Sequence, residues 1–130
     1  MNFRPIPSKL NEIGTKIVDA AYQVHKELGP GLLESVYEEC LIYELNEKKL
    51  AVDKQVIVPI SYRGKPLNSH LRIDLLVDDS VVIELKAVDT LLPIHESQLL
   101  TYLHLAQKRL GYLINFNVPI IKSGIKRMVL

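Results

Sequence analysis

The sequence has one cysteine, no tryptophan, two phenylalanines and a surplus of only one positive charge among its 130 residues. The lone thiol, Cys40, has no partner for an intramolecular disulfide, so the fold must rest on its core. Its place in an apolar helical pattern marks it as a small packing residue in a reducing compartment. Nowhere do about 18 apolar residues run together, which leaves no candidate for a membrane-spanning helix. The segment MNFRPIPSKL carries two prolines and lacks the apolar stretch of a secretory leader, so a soluble, cytoplasmic protein with no membrane partner is expected. Sixteen Lys and Arg stand against 15 Asp and Glu. Composition therefore does not announce a nucleic-acid binder, and any basic surface must be local. What is present is an ordinary globular balance, 48% hydrophobic and 24% charged. One domain over residues 1–130 is expected, with residues 1–8 as an extended arm.

Ile13, Ile17, Ala20, Ala21, Val24 and Leu28 recur at helical spacing behind Ser8 and Asn11, either of which can cap a helix, and Gly29-Pro30-Gly31 stops it. His25 and Lys26 fall in the last turn, where cations suit the helix dipole; His25 reads as a surface or capping group. A second helix is predicted from about Leu32 to Lys48, burying Leu33, Val36, Tyr37, Cys40, Leu41 and Leu45. Its other side, with Glu38, Glu39, Glu44 and Glu47, reads as a solvated face. Glu34 stands apart at the margin of the buried face, where it either points into a cleft or merely suits the dipole of the first turn.

Gln55 to Tyr62 alternates as a half-buried strand interrupted by Pro59, with Arg63-Gly64-Lys65-Pro66 as a turn. A helix from about Ile94 to Gln107 buries Leu99, Leu100 and Leu103. It places Gln98 and Tyr102 four residues apart on one face, a spacing that also suits an ordinary helix flank. The apolar run Leu110 to Phe116 suits a central strand, and Ile125 to Val129 an edge strand or closing segment.

The chain is organised around RIDLLVDDSVVIELK, residues 72–86, which sets Asp74, Glu84 and Lys86 in two otherwise apolar strands. A buried carboxylate or ammonium is costly by several kcal/mol unless paired or bound to a metal. Alternation puts Glu84 and Lys86 on one face. A two-residue turn at Asp78-Asp79 would place Asp74 opposite Ile83, on the wrong face; a turn of Asp78, Asp79 and Ser80, or a bulge, brings it level with Glu84. Converged, Asp74 and Glu84 would offer hard oxygens to Mg²⁺ or Mn²⁺, with the Leu85 carbonyl as a further ligand. Lys86 would stand beside the attacking water and stabilise charge developing on phosphorus. That is the chemistry of phosphodiester hydrolysis.

Asp74 followed by Glu84-Leu85-Lys86 resembles the signature of the PD-(D/E)XK nuclease superfamily. Gln98-Leu-Leu-Thr-Tyr102 looks like the Q-x-x-x-Y element of its RecB-like and lambda-exonuclease-like members, and Gly31-Leu-Leu-Glu34-Ser-Val-Tyr37 matches the small bacterial GxxExxY family within it. The resemblance covers about Ile13 to Val129. It departs from the pattern in having Arg72-Ile73, and no proline, before Asp74. It implies an α/β fold, a restriction-endonuclease-like core with a central mixed sheet flanked by helices in the order αβββαβ. It also implies that Glu34 extends the metal site and that Gln98 and Tyr102 position the substrate or Lys86. The implied activity is that of a Mg²⁺-dependent nuclease, acting on DNA before RNA, in repair, recombination or defence.

Two other readings compete with this one: a non-catalytic module that binds nucleic acid or protein, and a simple Glu84–Lys86 pair on an exposed sheet face. Candidate phosphate contacts are Arg63, Lys65, His70, Arg72, Lys108, Arg109, Lys122, Lys126 and Arg127. A minimal domain with no groove-reading element leaves room for a homodimer or a larger complex.

Overall fold

A computed structural model describes residues 4–130. The order of elements is α1 (Ser8–Leu28), α2 (Glu34–Glu47), β1 (Val52–Tyr62), β2 (Lys65–Val77), β3 (Val81–Lys86), α3 (Pro93–Ala106), β4 (Leu110–Asn115), a 3-10 turn at Ile121–Gly124, and β5 (Ile125–Val129). The expected arm lies in part outside the described residues, and Ser8 belongs to α1 and not to the arm. Pro7, not Ser8 or Asn11, is the N-cap; with φ fixed by its ring it leads into the helix without a side-chain hydrogen bond. Gly29 closes α1 at φ 67°, donating its N–H to the His25 carbonyl.

The five strands form one mixed sheet in sequence order, antiparallel except for the parallel pair β3 and β4, which α3 connects. All six residues of β4 are buried, as a central strand with helices on both faces requires. On one face, α1 and α2 pack Ile17, Ala20, Tyr37 and Leu41 against Leu75, Ile83, Leu85 and Ile114. On the other, Leu99 and Leu103 of α3 pack against Leu71, Ile73, Val82 and Leu113. Close approach of α1 to the sheet depends on Gly14, where a Cβ would collide with the Tyr112 hydroxyl.

Several local expectations are corrected. Leu33 is 74% exposed, because α2 starts at Glu34, two residues later than expected, and Leu33 is its N-cap. Val36 and Cys40 lie only partly buried at the edge of the helix's contact. Tyr62 is exposed, and the turn beside it is only Arg63-Gly64, both at positive φ, with Lys65 and Pro66 already paired in β2. His25 is half-buried, and its side chain does not cap α1: its Nε2 lies 2.7 Å from the Val118 carbonyl, tying α1 to the loop after β4.

A break in alternation shapes the sheet where β2 leaves β3. Leu75 and Val77 pack on the α1–α2 side, yet Leu71 and Ile73, of the same parity, pack with α3. Val52 and Val56 of β1 divide in the same way. The change falls at Gln55 and Asp74, which the register sets opposite one another, and Gln55 sits at φ 53°. A left-handed residue inside a strand rotates the following peptide, so both strands exchange faces together.

Candidate active site

The kink places Asp74 at the mouth of the sheet. The β2–β3 ladder runs from Val77 opposite Val81 to Leu75 opposite Ile83 and ends there. Asp78, Asp79 and Ser80 all lie in the turn, the first two at positive φ, and the Ser80 N–H returns to the Val77 carbonyl. The turn therefore has three residues, and the register brings Asp74 level with Glu84, as period-two alternation demanded. Beyond Leu75 the side chains replace the ladder. Glu84 Oε1 accepts the Asp74 N–H at 3.1 Å, and Asp74 Oδ2 accepts the Leu85 N–H at 2.8 Å.

Glu84 is 6% exposed. Burial, and then the charge of Asp74, push its carboxyl up to about 8; the Asp74 N–H and the Lys86 ammonium pull it the other way. Two carboxylates in contact, one of them buried, are electrostatically frustrated when both are charged. Lys86 is half-buried on the same face as Glu84, and among the described residues it forms no salt bridge. An exposed Glu84–Lys86 pair is thus excluded.

Successive carbonyls of a strand point to opposite sides. The Lys86 carbonyl accepts the Phe116 N–H on the β4 side, which directs that of Leu85 toward the side of Asp74. Asp74, Glu84 and this carbonyl offer hard oxygens, a set that fits a small divalent cation whose remaining ligands are water and phosphate. Glu34 stands at the rim. Burial and Asp74 raise its carboxyl, while Lys86 and the Ala87 N–H lower it. It does not close a three-residue cluster, because no group of three His, Cys, Asp or Glu able to hold a metal occurs among the described residues.

Tyr102 faces the same cleft from α3: burial and then the charge of Glu84 raise its hydroxyl. Gln98 Nε2 donates to the Tyr102 hydroxyl at 2.9 Å, so the two act as one unit. Pro93 at the first turn, with His95 Nδ1 accepting the Leu92 N–H, fixes where α3 begins.

Glu38, taken from the sequence as a solvated acid, belongs to the cleft as well. Burial and the charge of Asp74 raise its carboxyl, with Gln55, Lys54 and Arg72 opposing. Gln55 Nε2 donates to Glu38 Oε2 at 3.0 Å. The available signal was its spacing, one helical turn beyond Glu34 on the same face.

Two further residues hold the frame. The Tyr37 hydroxyl donates to the Gly29 carbonyl at 2.6 Å and accepts the Leu32 N–H at 3.1 Å, clamping the loop that presents Glu34. Its ring stacks on Phe116 at 4.6 Å. Asn115, buried in β4 opposite Lys86, accepts the Val88 N–H and donates to the Val88 carbonyl, as a neighbouring strand would. It is the one amide in the apolar run LGYLINF, which was the signal available for it.

Of the candidate phosphate contacts, three are engaged within the fold. Lys108 bonds Asp79, Arg109 bonds the Leu130 and Arg4 carbonyls, and Arg127 bonds Asn11.

The sequence model of the PD-(D/E)XK nuclease superfamily matches residues 11–128. No curated protein and no solved structure matches the chain.

Proposed function

Because the chain belongs to the PD-(D/E)XK nuclease superfamily, we propose that it is a metal-dependent nuclease whose site is Asp74, Glu84 and Lys86, flanked by Glu34, Gln98 and Tyr102. The observation that carries this reading is the reciprocal bonding of Asp74 and Glu84 across the opened strands, beside Lys86, which forms no salt bridge among the described residues. On this reading the chain is a single domain of the GxxExxY branch, as the likeness of the stretch from Gly31 to Tyr37 to that pattern supports, with DNA as the first substrate.

Asp74, Glu84 and the Leu85 carbonyl would hold Mg²⁺ or Mn²⁺, which supplies Lewis acidity toward the scissile phosphate and acidifies water. Glu34 would act from the rim, through water, and not as a direct third side-chain ligand. Lys86 sits two residues from Glu84 on the same face, where its ammonium can orient water and offset charge that builds on the phosphate oxygens. The Gln98–Tyr102 unit presents a hydroxyl to the same cleft and suits substrate positioning. Half-burial of Lys86 restricts its motion and strengthens its field.

A second reading is favoured by one observation: both carboxylates already accept backbone N–H groups, which is also how a hairpin would be closed in a non-catalytic binding module. Incubation of the purified protein with labelled single- and double-stranded DNA and RNA, in Mg²⁺, Mn²⁺ or EDTA, separates the two. Cleavage that requires the metal is expected, and binding without cleavage on every substrate supports the module.

A further inference from the structure

Charge is unevenly distributed along this near-neutral chain. Between Lys54 and Ile73 stand Lys54, Arg63, Lys65 and Arg72, with no Asp or Glu, which leaves the other 110 residues at net −3. Apart from Lys54 and Gln55, that acid-free stretch is the paired ribbon of β1 and β2 beyond the kink. All ten residues from Ser61 to His70 are exposed, so the ribbon leaves the body and presents both faces to solvent. Its register shifts between Pro59 and Ser61, where Leu67, Asn68 and Ser69 lie opposite Ile60 alone, and such a bulge bends and twists a two-stranded arm. Tyr62, 65% exposed, stands beside the Arg63-Gly64 tip.

The ribbon is continuous with the cleft. Asp74 is its root, Arg72 lies close enough to Glu38 to lower that carboxyl, and Ile57 pairs with Arg72 and, two positions further out, Pro59 with His70. On the other flank, Pro59 and Ser61 border a groove lined by Arg4, His104 and Lys108, the last already paired with Asp79. A cationic track therefore runs outward from an acidic centre. Exposed cations with an aromatic among them, on the outer half of a ribbon where no residue from Ser61 to His70 is buried, fit a polyanion with stacked bases better than an apolar protein partner. A two-stranded ribbon also has the width that the major groove of a DNA duplex admits.

We propose that the β1–β2 ribbon is a nucleic-acid-gripping arm, in which Arg63, Lys65 and Arg72 contact the phosphodiester backbone and Tyr62 the bases, and which holds duplex DNA beside the cleft. The choice of ligand rests on the nuclease reading, but the arm can be tested apart from hydrolysis. Fluorescence anisotropy of a labelled duplex in EDTA is compared for the wild type, Arg63→Glu/Lys65→Glu, and a control of equal charge change on α1, Lys9→Glu/Lys16→Glu. The arm variant is expected to lose about tenfold or more in affinity, with the salt slope reduced by about two, while the control stays within about twofold of wild type. Unchanged thermal unfolding confirms that both variants fold.

Equal losses in the arm variant and the control would reduce the effect to net charge and overturn the arm, as would unaltered binding by the arm variant or no duplex binding by the wild type. Arm-dependent binding of a labelled single strand in preference to the duplex would overturn the duplex assignment. Arm-dependent duplex binding by a protein that cleaves nothing would leave the arm standing and remove the hydrolase.

Discussion

Asp74 and Glu84 each accept a backbone N–H from the other's strand, so one pair of side chains both ends the β2–β3 ladder and builds the cleft. The burial that makes Glu84 a useful oxygen donor also makes its charge expensive.

The first prediction follows from that charge. The folded carboxyl of Glu84 lies near 8, above its ordinary value of 4.5, so the native state keeps a proton that the unfolded chain has lost. Stability contributed by the protonated form is complete below pH 4.5 and declines as pH rises toward 8, by a few kcal/mol at most. Glu84→Gln removes this slope. In EDTA at pH 8 the variant is expected to unfold at a higher temperature than wild type, and at pH 5 the two should converge. Added Mg²⁺ should raise the melting temperature of the wild type more than that of the variant.

Tyr37 gives the second. Tyr37→Phe keeps the stack on Phe116 but orphans the Gly29 carbonyl and the Leu32 N–H. Urea unfolding should show a loss of about 1–3 kcal/mol. Leu33→Ala, in the same motif but exposed, should change stability by less than about 0.5 kcal/mol.

Asn115 gives the third. Asn115→Leu keeps the number of side-chain heavy atoms and their branching but strips the Val88 N–H and carbonyl of their partners, and the Asn117 N–H of its own. A loss of about 2 kcal/mol or more is expected by urea unfolding, with hydrogen exchange at Val88 accelerated.

The elements were legible in the sequence because their periods are clean: Ile13 to Leu28 repeats as a helix, and the run from Leu110 is apolar throughout. The three-residue turn was legible too, since alternation allows no other way to set Asp74 level with Glu84 without a bulge. The kink was not. It depends on a left-handed Gln55, a residue with no marked preference for that conformation, and it is imposed by tertiary packing. For the same reason the sequence placed Tyr62 in a half-buried strand when it stands on an exposed ribbon. Glu38 was lost among the acids of α2 because helical spacing shows which residues share a face, but not which element crosses that face.

The central claim is that Asp74 and Lys86 serve one hydrolytic site. Cleavage of labelled duplex DNA in Mg²⁺ or Mn²⁺ by the wild type, Asp74→Ala and Lys86→Ala tests it most directly, with folding of each variant checked by thermal unfolding. Each variant is expected to fall at least about a hundredfold below wild type, the scale of losing a charged group that acts on the transition state. Metal-dependent cleavage at the wild-type rate in both variants would contradict the assignment.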